Sequence, residues 1–416
     1  MSTEPERTAS LKAHLVVTSA AVAAFSPLYC LQALYPAIST RFSGDVGLAA
    51  SLLTTTTLAL AVVSLISGRP AAAHGPRAAV LWALMSTVVS TVGLGLADST
   101  SILICWRLVQ GVTIAVGLSS LISSLGMLAP TGAASLASSY STGIILGGIL
   151  GRLVPAALMD WGWTPAFMAF ALIQGLLMAV VWWALPRSDM SEDRVVKLEP
   201  IQQWLKSLLP VFRNDIPHLA VGGAVLMISQ AAATSMVSIH LSQEPFNWST
   251  AQLGLLYLVF APALVVVRFV PGLIQRIGPL WLQVLATNLL LAGLLTTLGG
   301  GSGQIVAGMA IFCAAVFTSQ TVFAYLLNTV DPSVRQKASS CYLASYYLGA
   351  SIGAAAPATV WNEYGWPGTV ALVVLVQLAG AVLAFGFIRR RQSVLAESHR
   401  DGGISAMPNA GDTRQP

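Results

Sequence analysis

Two arginines stand where a charged side chain is expensive. Arg107 lies inside an apolar stretch spanning 101–129 and Arg152 inside another spanning 135–158. A guanidinium offers five N–H donors in a fixed fork, has no acceptor and stays charged. The chemistry it suits is recognition of a carbonyl, carboxylate or similar acceptor, not proton exchange. Arg107-Leu108-Val109-Gln110-Gly111 sets the guanidinium and an amide at i and i+3, on one helix face. Tyr29, Gln32, Gln230, Gln320 and Tyr325 lie in other apolar stretches and could hydrogen-bond the neutral part of a solute. With Arg107 and Gln110 they are the candidate solute-binding residues. An arginine near mid-membrane costs about 2.5–3.5 kcal/mol even on the gentler insertion scale. Arg107 is therefore expected to face a polar cavity, its charge met by water until an acceptor group of the solute replaces it.

Other chemistry is missing. None of the 16 acidic residues falls in the middle of an apolar stretch; Asp160, Asp215 and Asp331 mark stretch ends. Fixed positive charge with no acid beside it repels cations in a low dielectric. Cys30, Cys105, Cys313 and Cys341 are scattered through apolar sequence, with neither a disulfide framework nor metal-ligand spacing. Gly349-Ala350-Ser351-Ile352-Gly353 fits a G-x-S-x-G pattern, but in mid-helix, without the strand–turn–helix elbow that chemistry needs. The sequence points to no enzyme, no cofactor and no metal.

The elements that hold these residues follow from composition. The 416 residues are 55% hydrophobic and 9% charged, against about 25% charged in soluble domains. Lipid must be the solvent for most of the chain. Apolar stretches recur at about 14–38, 47–67, 78–97, 101–129, 135–158, 164–186, 215–241, 251–274, 280–298, 304–329, 336–360 and 366–388, each long enough for a spanning helix of about 20 residues. The basic residues are sorted between alternate loops. Of 21 Lys and Arg, three (Arg107, Arg152, Arg268) lie within stretches and Arg41 lies on one side; the remaining seventeen share the other side with both termini. By the positive-inside rule that side is cytoplasmic. So even a pI near 9.2 gives no reason to expect a nucleic-acid partner.

The chain repeats itself. Asp160-Trp161-Gly162-Trp163 follows the fifth stretch and Glu363-Tyr364-Gly365-Trp366 the eleventh; Gly75-Pro76 follows the second and Gly278-Pro279 the eighth. Both pairs are separated by 203 residues (363 − 160 and 278 − 75), which marks a duplicated six-span unit. Transporter folds place their solute site between such repeats. Gly143, Gly147 and Gly151, with Gly148, form a small-residue stripe in the fifth span, followed by Arg152. Such a stripe permits close helix approach, expected here against a helix of the other half, at a moving interface. Within 187–214, Ile201, Trp204, Leu205, Leu208 and Phe212 recur at helical spacing, which suits a helix lying on the inner leaflet.

These motifs resemble the major facilitator superfamily. Arg107-x-x-Gln110-Gly111 resembles its fourth-helix motif, and Gly143-x-x-x-Gly147-Gly148-x-x-Gly151 the fifth-helix motif of its exporters, with Gly148 and Arg152 where Pro and Gly are usual. The loop from Gly68 to Arg77 resembles the superfamily's loop signature, with Ala72 where an Asp of the cytoplasmic latch is expected and Pro76 where an Arg is. Leu28-Tyr29-Cys30-Leu31-Gln32-Ala33-Leu34-Tyr35-Pro36, Gly147-Gly148-x-x-Gly151-Arg152 and the segment Ala338 to Ser351 are similar to the YnfM-type, or acriflavine-sensitivity, branch. The resemblance implies an all-α polytopic membrane protein of the major facilitator fold, with twelve transmembrane helices in two six-helix bundles. Spans 1, 4, 7 and 10 would line the cavity. Gating and helix packing would fall to Gly143, Gly147, Gly148, Gly151, Arg152, Gly68 and Arg77.

The expected organisation is a cytoplasmic tail (1–13), an N-terminal bundle (14–186), a connector (187–214), a C-terminal bundle (215–388) and a disordered tail (389–416). The expected function is secondary active transport of a small solute by alternating access, as a monomer in a bacterial inner membrane. The resemblance implies proton-linked efflux of the drug:proton antiporter kind; the two arginines favour instead an importer or exchanger of a small anionic metabolite. A non-transporting sensor or scaffold would need an appended soluble domain, which neither connector nor tail supplies.

Overall fold

A computed structural model describes residues 4–42, 46–66, 75–128, 133–185, 200–214 and 216–404. Gly68 and most of its loop lie outside the described residues, as do 187–199 of the connector and 405–416 of the tail. The described residues are almost wholly helical. The helices are α1 (Glu4–Phe25), α2 (Tyr35–Phe42), α3 (Val46–Ser64), α4 (Pro76–Gly95), α5 (Thr100–Leu128), α6 (Ala133–Ala157), α7 (Trp163–Ala184), α8 (Ile201–Asn214), α9 (Pro217–Ser242), α10 (Thr250–Leu256), α11 (Ala261–Ile277), α12 (Pro279–Thr296), α13 (Ser302–Asn328) and α14 (Arg335–Ile404). Short 3-10 turns at Ser26–Tyr29 and Gln32–Leu34 join α1 to α2, and one at Tyr257–Phe260 joins α10 to α11.

Among the described residues, 11 segments are long and apolar enough to cross a membrane. The longest, Arg335–Leu383, has 49 residues and bends at Gly365 (φ 53°, ψ −139°). It counts as two crossings, which brings the spans to twelve. Past the last crossing α14 runs on to Ile404, through a stretch expected from the sequence to be disordered. Residues 392–401 contain no Gly or Pro and several good helix formers, so nothing local stops the helix before Gly402.

Burial separates the spans by role. The first and seventh are 83% and 72% buried, the sixth and ninth only 33% and 28%. Trp82 on α4, Trp182 and Trp183 on α7 and Trp281 on α12 are exposed, as lipid-facing aromatics would be. The first and seventh spans are thus central and the sixth and ninth peripheral.

The repeat shows as hydrogen bonds as well as sequence. Gln174 donates to the Ser26 hydroxyl at 3.4 Å, and Gln377 to the Ser229 hydroxyl at 2.9 Å. The Trp163 indole donates to the Leu94 carbonyl at 2.9 Å, and the Trp366 indole to the Thr297 hydroxyl at 3.0 Å. Every member of one pair lies 203 residues from its counterpart (377 − 174, 229 − 26, 366 − 163, 297 − 94). Gly75 and Gly278 share φ near 80°, which a Cβ would disfavour. Each precedes a proline at the first turn of its helix, where the missing N–H costs nothing.

The glycine stripe corrects one expectation. A Cβ on Gly143 would lie 2.6 Å from the Ala21 Cβ, and one on Gly147 3.0 Å from the Val22 carbonyl; one on Gly151 would strike the Ser26 carbonyl. The stripe therefore seats α6 against α1 within its own bundle, not against the other half. Close approach between halves comes instead at Gly254 of α10, where a Cβ would lie 2.7 Å from the Ala156 Cβ of α6. The amphipathic α8 bridges the halves: the Trp204 indole donates to the Leu65 carbonyl at 2.8 Å, while Leu208 accepts from the Cys341 thiol at 3.8 Å.

Candidate solute-binding site

The first spanning segment is not one continuous helix. Ser26-Pro27 interrupts α1, and the 3-10 turn that follows leaves its carbonyls weakly bonded, that of Pro27 accepting from the Cys30 N–H at 3.4 Å. In hydrocarbon such groups must find donors inside the protein. Arg107 supplies them. Its Nη1 donates to the Pro27 carbonyl (2.8 Å) and to Gln110 Oε1 (2.6 Å), its Nη2 to the Leu28 carbonyl (2.7 Å), and its Nε to the Leu52 carbonyl (3.2 Å). Gln110 then donates to the Thr91 hydroxyl at 3.3 Å. Arg107 is 1% exposed and Gln110 fully buried. The charge is compensated by carbonyl and amide oxygens, where the sequence suggested cavity water. Arg107 pins the break in the first helix to α3 and α5.

Arg152, also 1% exposed, is held differently. Its Nε donates to Gln32 Oε1 and its Nη1 to the Gly148 carbonyl, both at 2.6 Å. Its Nη2 is buried and has no partner among the described residues. The guanidinium carbon sits 3.9 Å from the ring centre of Tyr29, 4.6 Å from that of Tyr257 and 4.8 Å from that of Phe260. Each desolvated cation–π contact of this kind is worth about 0.5–2 kcal/mol. Two of the three rings belong to the C-terminal half, so this arginine ties the halves together.

Gln32 extends the tie, its amide donating to the Ser235 hydroxyl at 3.0 Å and the Thr234 hydroxyl at 3.4 Å. Tyr257 is fixed by donating to the Thr234 carbonyl at 2.7 Å, with the Ser238 hydroxyl at the same distance. Mid-helix, the Thr57 and Ser351 hydroxyls meet at 2.9 Å. Apart from the bridge through α8 at the opposite end, these contacts between halves run from mid-helix towards the end carrying the turns at Gly162 and Gly365.

Beside this network lies a narrow, partly open pocket lined by residues of both halves. Tyr29, Gly148 and Arg152 face Gln230, Gln320 and Tyr346 across it, and Phe25, Phe260 and Phe317 supply apolar wall. Gln320 donates to Gln230 Oε1 at 3.0 Å and to the Tyr346 hydroxyl at 2.5 Å. Of the seven candidate solute-binding residues, the pocket gathers Tyr29, Gln230 and Gln320. Gln32 stands one bond behind it, through Arg152. Arg107 and Gln110 are outside it, and Tyr325, 46% exposed, lies near the far end of α13. Arg77 donates to the Leu185 and Trp182 carbonyls, closing the C-terminus of α7 as a basic side chain at a helix end should. The aromatic members Phe25, Tyr257, Phe260, Phe317 and Tyr346 were not singled out by residue type. Only Tyr346 carried a signal in the sequence, as part of the family-like segment from Ala338 to Ser351.

A central pocket between two duplicated helical bundles defines a membrane transporter. The chain belongs to the major facilitator superfamily, whose sequence model matches residues 17–329. Among curated relatives, the Escherichia coli inner membrane transport protein YnfM is 28% identical over 388 residues, covering 91% of each chain. The Bacillus subtilis MFS-type transporter YybF is 24% identical over 370 residues, covering 88% of this chain and 90% of its own. Among solved structures, the nucleoside transporter NupG superposes with a TM-score of 0.67 at 13% identity, over 91% of this chain and 99% of that one. The xylose transporter XylE of E. coli, in a partially occluded inward-open conformation, gives the same TM-score and identity over 88% and 97%. At that identity the likeness is one of fold.

Proposed function

We propose that this transporter carries a small solute outward across a bacterial inner membrane by alternating access, coupled to protons, with both termini in the cytoplasm and the monomer as working unit. The carrying observation is the pocket itself, assembled from both halves and shut on one side by the Arg152–Tyr257–Phe260 and Gln32–Ser235 contacts. Rocking one bundle against the other must break those contacts and expose the same residues to the opposite side. The charge sorting makes the shut side the outer one, and the exporter-like glycine pattern of α6 supports the outward direction. The solute contacts fall to Arg152, Tyr29, Gln230 and Gln320, with Gln32 as relay. Arg107 and Gln110 support them from outside the pocket.

A second reading, uptake or exchange of a small anionic metabolite, is favoured by the unpaired Arg152 nitrogen. Purified protein in liposomes, with an imposed pH gradient and a panel of anionic, neutral and cationic solutes, separates the two. Efflux requires outward movement driven by inward protons; exchange requires a counter-solute and no pH gradient. Reporter fusions after Asp160 and after Arg194 should read outside and inside respectively. The reverse result would overturn the orientation.

A further inference from the structure

We infer that the solute is a flat aromatic monoanion whose acidic group docks on the free edge of the Arg152 guanidinium, an assignment that rests on the pocket being the transport site. Arg152 is almost wholly buried and carries a nitrogen with no partner among the described residues. Gln32 and the Gly148 carbonyl hold Nε and Nη1, so the edge bearing Nη2 remains for a ligand oxygen. No acidic residue occupies the middle of any span, so one positive charge awaits compensation. A single negative charge supplies it; a cation would add to it.

The rest of the wall decides what accompanies that charge. Phe25, Phe260, Phe317 and Tyr346 present rings from both halves, and rings pack favourably offset or edge-on against another ring. Polar capacity is scarce, because Gln320 is already bonded to Gln230 and Tyr346. A sugar or nucleoside would leave several hydroxyls without partners, and each buried orphan weakens binding. The pocket is narrow and partly open, so a solute must part its walls as the bundles rock. A single ring system asks less of that parting than an extended amphiphile.

Four probes separate charge from shape: benzenesulfonate (ring and anion), methanesulfonate (anion alone), benzyl alcohol (ring alone) and benzyltrimethylammonium (ring and cation). Sulfonate is chosen because it stays ionised and cannot leak through a bilayer as a neutral acid. Binding to the purified full-length protein in detergent, by calorimetry, should favour benzenesulfonate at least tenfold over each of the others. Arg152→Gln should weaken benzenesulfonate at least tenfold while changing the weak binding of benzyl alcohol far less, a selective loss that a merely structural residue would not produce. Arg152→Lys keeps the charge without the planar fork; it should retain part of the preference and serves if the glutamine variant does not fold. Equal binding of methanesulfonate or benzyl alcohol, tighter binding of the cation, or undiminished benzenesulfonate binding in both variants would overturn the assignment. Liposome flux then tells the two readings apart. Arg152-dependent binding of benzenesulfonate without flux sinks transport through this pocket and leaves the anion site standing. Flux of a neutral solute that Arg152→Gln leaves untouched sinks the anion site and leaves transport standing.

Discussion

Arg107 and Arg152 are equally buried and sit on successive long helices of the same bundle, yet their surroundings differ in kind. Arg107 has four N–H···O bonds, three to backbone carbonyls. Its oxygens come from α3, α5 and the interrupted first span, all within the N-terminal half. Arg152 has two such bonds and an idle nitrogen, and its remaining neighbours are ring faces drawn largely from the other half. Burial and charge alone do not distinguish a structural arginine from one kept for a ligand. The number of donors already satisfied does, together with whether the neighbours move apart when the bundles rock.

Stability measurements should separate the two arginines. Arg107→Ala would remove the charged donor shared by the Pro27, Leu28 and Leu52 carbonyls and Gln110 Oε1, although Pro27 keeps the Cys30 N–H and Leu52 the Thr56 hydroxyl. Each buried acceptor left under-satisfied costs about 1–3 kcal/mol, so loss of a monodisperse peak on gel filtration is expected. A well-folded, transporting Arg107→Ala protein would show that the carbonyl cluster is dispensable. Gly147→Leu, next in size, must force α6 off the Val22 backbone; overpacking costs about 1–3 kcal/mol and should appear as a lower melting temperature. If that variant melts normally and loses only transport, the stripe acts at a moving interface after all. Phe260→Leu removes one ring from Arg152 and should shift the balance between closed and open outer ends by about 0.5–2 kcal/mol, read as a broadened distance distribution between spin labels at Leu158 and Glu244. An unchanged distribution would take Phe260 out of the gate. Arg152→Gln should have the smallest effect on melting, because the loss of its three ring contacts is offset by removal of a poorly compensated buried charge. Transport of the solute should nonetheless fall at least tenfold. A large drop in melting temperature would put Arg152 in the same class as Arg107.

Most of the fold was legible because lipid imposes simple rules on sequence. Twelve apolar stretches and a 203-residue offset suffice to define two bundles, and the hydrogen-bonded pairs Gln174–Ser26 and Gln377–Ser229 obey the same offset. The site was legible only in part. That Arg107 and Arg152 are intramembrane charges followed from position alone. Which of them meets carbonyls depends on whether the first span breaks, and the one local sign was Pro27 after Ser26. The rings around Arg152 could not be foreseen, since Tyr257 and Phe260 lie more than a hundred residues away and a single sequence carries no record of who touches whom. The glycine stripe was read correctly as close packing but given the wrong partner, for the same reason.

The broken first span also constrains how the chain is made. Its Leu28 carbonyl, and the Pro27 carbonyl beyond its one long bond from the Cys30 N–H, wait for a donor that lies 80 residues downstream of Pro27. At about 5–20 residues per second, the ribosome delivers Arg107 roughly 4–16 s after the break has emerged. During that interval the break lacks the charged donor it has in the folded protein, and an under-satisfied carbonyl is costly in lipid. The first span is therefore expected to settle fully only once the fourth arrives, so that Arg107 bears on the order of assembly as well as on the finished fold.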